Sequence, residues 1–154
     1  ERKLTAAFNV SYSTTFSDVD EVWISSLGGS ETVRGWSIPD STIYTNIDNT
    51  FRFGNHFAIL SFELRQTIIP TSVFTTDLYK WKQEYGLSAI AFVDVGYINS
   101  DRKKLFSELP MAGMGFGFRI PAPMIGMIGL DYGWGYRDDQ FTGGTLHLTI
   151  GQKF

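Results

Sequence analysis

From 128 to 137 the chain alternates without a break, with Ile128, Leu130, Tyr132, Trp134 and Tyr136 on one side and Gly129, Asp131, Gly133, Gly135 and Arg137 on the other. A period of two sustained this long predicts a β-strand with two unlike faces. Met114, Phe116, Phe118 and Ile120 alternate in the same way with Gly113, Gly115, Gly117 and Arg119. Leu146, Leu148 and Ile150 alternate with Thr145, His147, Thr149, Gly151 and Lys153, and Phe154 closes the apolar face. At the other end Leu4, Ala6, Phe8, Val10 and Tyr12 face away from Thr5, Ala7, Asn9, Ser11 and Ser13. Between these, Ala58, Leu60, Phe62 and Leu64 oppose Ser61, Glu63 and Arg65, and Ala89 to Tyr97 is apolar on both faces except at Asp94. The pattern predicts an all-β chain of six strands.

Residue size on the two faces selects the architecture. A soluble sandwich must fill its inner face with large side chains, and glycines there would leave costly cavities. Here the bulky face suits lipid, while the glycine and polar face suits an aqueous bore. Strands of this length can cross a membrane when tilted. The tight Pro121-Ala122-Pro123 connection and the long polar stretches 14–55 and 99–110 fit a barrel with short turns at one rim and long loops at the other. Residues 67–86 break this rule, as a long connection on the short-turn side. Six strands cannot close, because the smallest barrels of this kind have about eight. An open edge in lipid would leave backbone groups unsatisfied. The remaining strands are expected from a longer parent chain, a separate fragment or oligomer partners.

Composition narrows the function classes. The chain has 154 residues, 43% of them hydrophobic, with thirteen Phe, seven Tyr, four Trp and sixteen Gly, which disfavours disorder. No apolar run approaches the roughly eighteen residues of a transmembrane helix. A net charge of -3 disfavours a nucleic-acid partner. The basic cluster Arg102-Lys103-Lys104, beside Asp101, is read as a solvated turn. Zero cysteines exclude disulfides and thiolate metal sites. The opening Glu1-Arg2-Lys3 runs straight into alternation rather than into a signal-peptide core, which predicts a mature chain or the continuation of a longer one.

One loop carries an unusual motif: GGSETVRGW, residues 28–36, sets Arg34 between Val33 and Gly35, next to Trp36. It is followed in order by SFELR, FVDVGY, GMGFGFRIPAPMIG, LDYGWGY and LHLTIGQKF. This ordered set resembles the C-terminal barrel of the BamA, TamA and FhaC superfamily of outer-membrane assembly and polypeptide-translocation proteins, over nearly the whole chain. The resemblance implies that residues 1–154 are the C-terminal part of an outer-membrane β-barrel, bacterial or organellar, with 14–55 as its long motif-bearing loop. It also implies that this loop folds into the lumen, where Arg34 reaches acidic residues of the inner wall, by position Glu63 and Asp94. Alternation already places Glu63 on the polar face, and a lone Asp94 facing lipid would be strongly disfavoured. Arg34 offers a planar fork for two carboxylates, Gly35 permits a tight approach, and Trp36 can pack as the loop turns.

The resemblance implies insertion or movement of client or secreted polypeptides at the seam between first and last strands, with outer-membrane lipids as the surrounding partner and no cofactor. The last strand, 145–154, is expected to span once, to be weakened by Gly143, Gly144 and Gly151, and to end in Phe154, an assembly signal common to such barrels. A barrel lipase or protease and a passive pore are the alternatives. Catalysis would need a nucleophile beside a base, and only His56 and His147 are available. Neither shows a Ser-His-acid spacing, so no catalytic residue is assigned. No Walker, Rossmann, zinc or EF-hand pattern occurs, and Asp138-Asp139 reads as a turn rather than a metal site.

Overall fold

Each alternating segment becomes a strand in the computed structural model, which describes residues 3–16, 24–39, 51–75, 82–122 and 126–151. In chain order these are β1 (Leu4–Thr14), β2 (Ser25–Ser26), β3 (Phe53–Gly54), β4 (His56–Thr75), β5 (Lys82–Asn99), β6 (Met111–Ala122), β7 (Gly126–Arg137), β8 (Gln140–Phe141) and β9 (Thr145–Ile150). The main sheet is an antiparallel meander in the order β1-β4-β5-β6-β7, and both β8 and β9 pair with β7. β2 and β3 form a separate two-stranded ribbon. The six expected strands are thus the long ones, and three short strands join them.

The two faces divide as the alternation requires. Phe116 (50% exposed) and Leu148 (65%) look outward, whereas Glu63, Asp94 and Asp131 (each 0%) look inward. On the outer face Phe116, Tyr132 and Trp134 form a ladder of tilted and edge-on rings, with centroids 5.0 to 6.1 Å apart. Soluble packing would bury these rings. In a membrane-spanning wall they meet acyl chains.

Three expectations need correction. Residues 67–75 and 82–86 continue two strands, since β4 runs to Thr75 and β5 starts at Lys82, and 76–81 lie outside the described residues. The β-branched and aromatic content of the two stretches favours extension, and Pro70, which argues against a strand, is accommodated within the second of two register shifts, Thr67/Ile69 and Ile69/Ser72. Second, among the described residues the last strand stops at Ile150. The described ladder runs from Gly133↔Thr145 to Ile128↔Ile150, so Gly143 and Gly144 lie in a break between β8 and β9, and Gly151 ends the strand with φ 101°. Phe154 lies outside the described residues, as does Pro123 of the expected tight turn.

Third, the inner face is packed rather than an empty aqueous bore. Leu27 and Val33 of the loop segment 24–39 are fully buried against Ile59, Ile98 and Met111, with Trp36, Phe51 and Phe57 around them. The wall glycines make this possible by letting loop backbone and side chains lie where side chains of the wall would stand. A Cβ at Gly96 would fall 2.6 Å from Val33 Cγ2, and one at Gly133 would fall 3.2 Å from Gly35 N.

Candidate functional site

The loop first folds on itself. Gly28 N donates to Thr32 Oγ1 (2.7 Å), Thr32 Oγ1 donates to Gly28 O (2.9 Å), and Gly29 N donates to Trp36 O (2.7 Å). The resulting turn is hung on Arg52, whose Nε donates to Leu27 O (3.1 Å), whose Nη2 donates to Ser37 O, and whose carbonyl accepts from Leu27 N (2.9 Å). Burial lowers the Arg52 pKa from its ordinary value, and the carbonyls disperse its charge within the loop.

At the tip Arg34 enters the concave face. Its guanidinium grips Asp94 with both edges, Nε to Oδ2 at 2.8 Å and Nη2 to Oδ1 at 3.0 Å. Nη1 reaches Glu63 Oε2 at 2.8 Å and Asp131 Oδ2 at 3.3 Å. The backbone N of Arg34 also donates to Asp94 Oδ2 (3.0 Å), and its Cζ lies 3.8 Å from the centre of the Phe92 ring. Such two-pronged, charge-assisted geometry is among the strongest polar contacts available to a protein. Burial pulls the Arg34 pKa down, but the Asp94 and Glu63 carboxylates outweigh it, and the net shift is upward. The guanidinium is therefore charged at every accessible pH.

Two further arginines complete the cluster. Arg65 Nε donates to Glu63 Oε1 (2.7 Å). Arg119 pairs with both oxygens of Asp131, with Nη2 at 2.9 Å from Oδ2, and lies 3.6 Å from Glu63 Oε2. Three cations thus face three anions, contributed by the loop and by β4, β5, β6 and β7. Charge balance is what makes burial of so many ions tolerable, because an unpaired one would cost several kcal/mol.

A second set of contacts ties the same turn to the end of the sheet. Gly35 has φ 96°, and a Cβ there would fall 2.7 Å from Gly135 N, so the turn requires glycine for both conformation and space. Gly35 N donates to His147 Nε2 (3.1 Å), and Gly35 O accepts from Thr142 Oγ1 (2.9 Å) and Thr145 Oγ1 (3.4 Å). Trp36 Nε1 donates to Ala112 O (2.7 Å), and its ring meets Phe51 edge-on at 5.8 Å.

Arg34, flanked by Val33, Gly35 and Trp36, thus lies against Glu63 and Asp94. Gly143 and Gly144 are at the strand break and Gly151 is at the far end of β9, apart from the cluster. Asp131, Arg119, Arg65, Phe92 and Thr142 escaped the sequence reading as partners, although alternation had placed Asp131, Arg119 and Arg65 on the inner face. The two histidines considered for catalysis are apart: His56 Nδ1 pairs with Thr14 Oγ1 at the rim, and His147 meets the loop. Among the described residues no group of three or more acidic, histidine or cysteine residues could hold a metal ion. A family model described as the Omp85 superfamily domain matches residues 3–154. No curated protein and no solved structure matches the chain.

Proposed function

The chain belongs to the Omp85 superfamily of outer-membrane β-barrel proteins, and from that premise we propose that it is the C-terminal part of a barrel that inserts or translocates other polypeptides at the outer membrane. The family supports this function in general terms. The observation that carries it further is the broken return strand. β8 and β9 are separated by Thr142-Gly143-Gly144, and among the described residues the ladder of β9 on β7 runs from Ile128 to Gly133, with single backbone hydrogen bonds beyond it from Thr142 N to Gly135 O (2.8 Å) and from Gly151 N to Met127 O (2.7 Å). At about 3.3 Å per residue, the six residues of β9 extend roughly 20 Å, less than the roughly 30 Å hydrocarbon core.

A final strand this short can offer few hydrogen bonds to the first strand of the complete barrel, so that the seam between them separates at modest cost. An incoming polypeptide can then pair with the exposed edge, adding a strand by main-chain hydrogen bonding. The loop clasp holds the rest of the wall in shape while this edge opens. Client polypeptides, outer-membrane lipids and the remaining barrel strands are the partners on this reading.

The test is a disulfide engineered between the last strand and the first strand of the complete barrel. Client assembly is expected to stop under oxidising conditions and to return on reduction. Undiminished client assembly with the seam locked would refute the mechanism.

A further inference from the structure

The loop between β5 and β6 is built unlike a merely solvated turn. Asp101 caps a single 3-10 turn, Arg102–Lys104, through Lys103 N to Asp101 Oδ1 (2.9 Å), and Glu108 accepts from Asn99 Nδ2 (3.0 Å). Both acids are thus occupied by amides of the loop itself. Arg102, Lys103 and Lys104 are all exposed, and none is ion-paired among the described residues. A chain of net charge -3 therefore presents three consecutive cations at one point of its rim.

The next residues give that point its orientation. Leu105 is buried, which anchors the turn, whereas Phe106 is 67% and Leu109 56% exposed. Phe106 meets Tyr97 edge-on, with centroids 5.2 Å apart. Tyr97 shares the parity of the exposed Val93, opposite to that of the buried Asp94, so Phe106 sits on the outward, lipid-facing side of the wall. Along the same rim Tyr136 contacts Phe141 (4.9 Å) and Tyr12 is half exposed. Aromatic side chains in this position mark the membrane-water boundary, and cations just beyond it lie at headgroup level.

We propose that the Arg102–Leu109 segment docks on net-anionic, phosphate-bearing lipid headgroups at the loop-bearing rim, with Phe106 and Leu109 inserted among the acyl chains and Arg102, Lys103 and Lys104 contacting the phosphates. The proposal rests on the barrel lying in a membrane and is independent of the seam mechanism.

The complete barrel in detergent is titrated with phosphatidylglycerol or phosphatidylcholine, and retained lipid is counted by native mass spectrometry. Preference for phosphatidylglycerol is expected, weakening as salt rises. The combined variant Arg102→Gln, Lys103→Gln, Lys104→Gln should lose that preference by about tenfold or more, since each cation near an anionic surface contributes roughly fivefold. Phe106→Ser should weaken retention of both lipids. Lys3→Gln, which removes an exposed cation near the opposite rim, should leave both unchanged. The substitutions are on the surface, and heat-modified gel mobility verifies that each variant is folded. Equal retention of the two lipids by the unaltered protein, or undiminished preference in the triple variant, would overturn the proposal. So would an equal loss in Lys3→Gln, which would reduce the effect to net charge, or displacement by inorganic phosphate beyond that caused by chloride at the same ionic strength, which would indicate a site for the free anion.

Discussion

The same turn grips the wall in two places by different means. On the β4-β5-β6-β7 side the grip is ionic, with Arg34 saturated by Asp94, Glu63 and Asp131 and every partner buried. On the β8-β9 side it consists of neutral hydrogen bonds at Gly35, whose N donates to His147 and whose O accepts from Thr142 and Thr145. Ionic contacts between desolvated groups are costly to break from one side, whereas neutral hydrogen bonds each contribute about 1 kcal/mol net. The loop is therefore fixed to the continuous wall and only lightly fastened to the strand that ends it. On the proposed reading, a barrel whose seam yields without losing its shape would use this asymmetry.

Substitutions can break the contrast from either side. Arg34→Ala should have the largest effect, because it strands Asp94 and Glu63 without a cation that each contacts at 2.8 Å. A loss of about 3–5 kcal/mol is expected, measured as a lowered urea midpoint of the complete barrel in micelles with loss of heat-modified mobility. Gly35→Ala should follow, at about 1–3 kcal/mol from the backbone conformation alone. It should also release the turn from Trp134 and Gly135, read as faster proteolysis of the loop. Combining Arg34→Ala with Glu63→Gln sharpens the ionic half of the comparison. The double variant should be more stable than the sum of single losses predicts, by about 0.5–3 kcal/mol, and strict additivity would count against contact. The smallest effect is expected from Thr142→Val, which removes the donor to Gly35 O and the acceptor for Gly135 N (2.8 Å). About 1 kcal/mol should be lost, with faster amide exchange confined to β8 and β9 and none at β4 or β5.

Much of the wall was legible because one face of each strand must satisfy lipid. That constraint produces strict alternation, and alternation alone assigns Glu63, Asp131, Arg119 and His147 to the interior. Which interior groups meet is decided by register across several strands, and periodicity carries no register. Asp94 stands beside Gly113 through β5-β6 pairing, and Gly113 stands beside Gly135 through β6-β7 pairing. Neither relation is written in either segment. One signal was available: Glu63 and Arg65 are two apart on one strand, hence on one face, and they do pair. Periodicity alone makes the interior glycines look like an unpacked face, because the loop that fills the space comes from elsewhere in the chain. The strand at 67–75 is hidden by Pro70, whose usual meaning as a strand breaker is overridden by the register irregularity in which it sits.

The sequence separations within the clasp impose an order of events. Arg34 meets Glu63 across 29 residues, Asp94 across 60 and Asp131 across 97, and Gly35 meets His147 across 112. Closing loops of increasing length costs progressively more entropy, which favours capture of the near partners before His147. The turn cannot be seated in full until β9 has docked. Its completion is thus a checkpoint, and a nascent barrel short of its closing segment would keep its longest loop partly free and open to inspection by proteases.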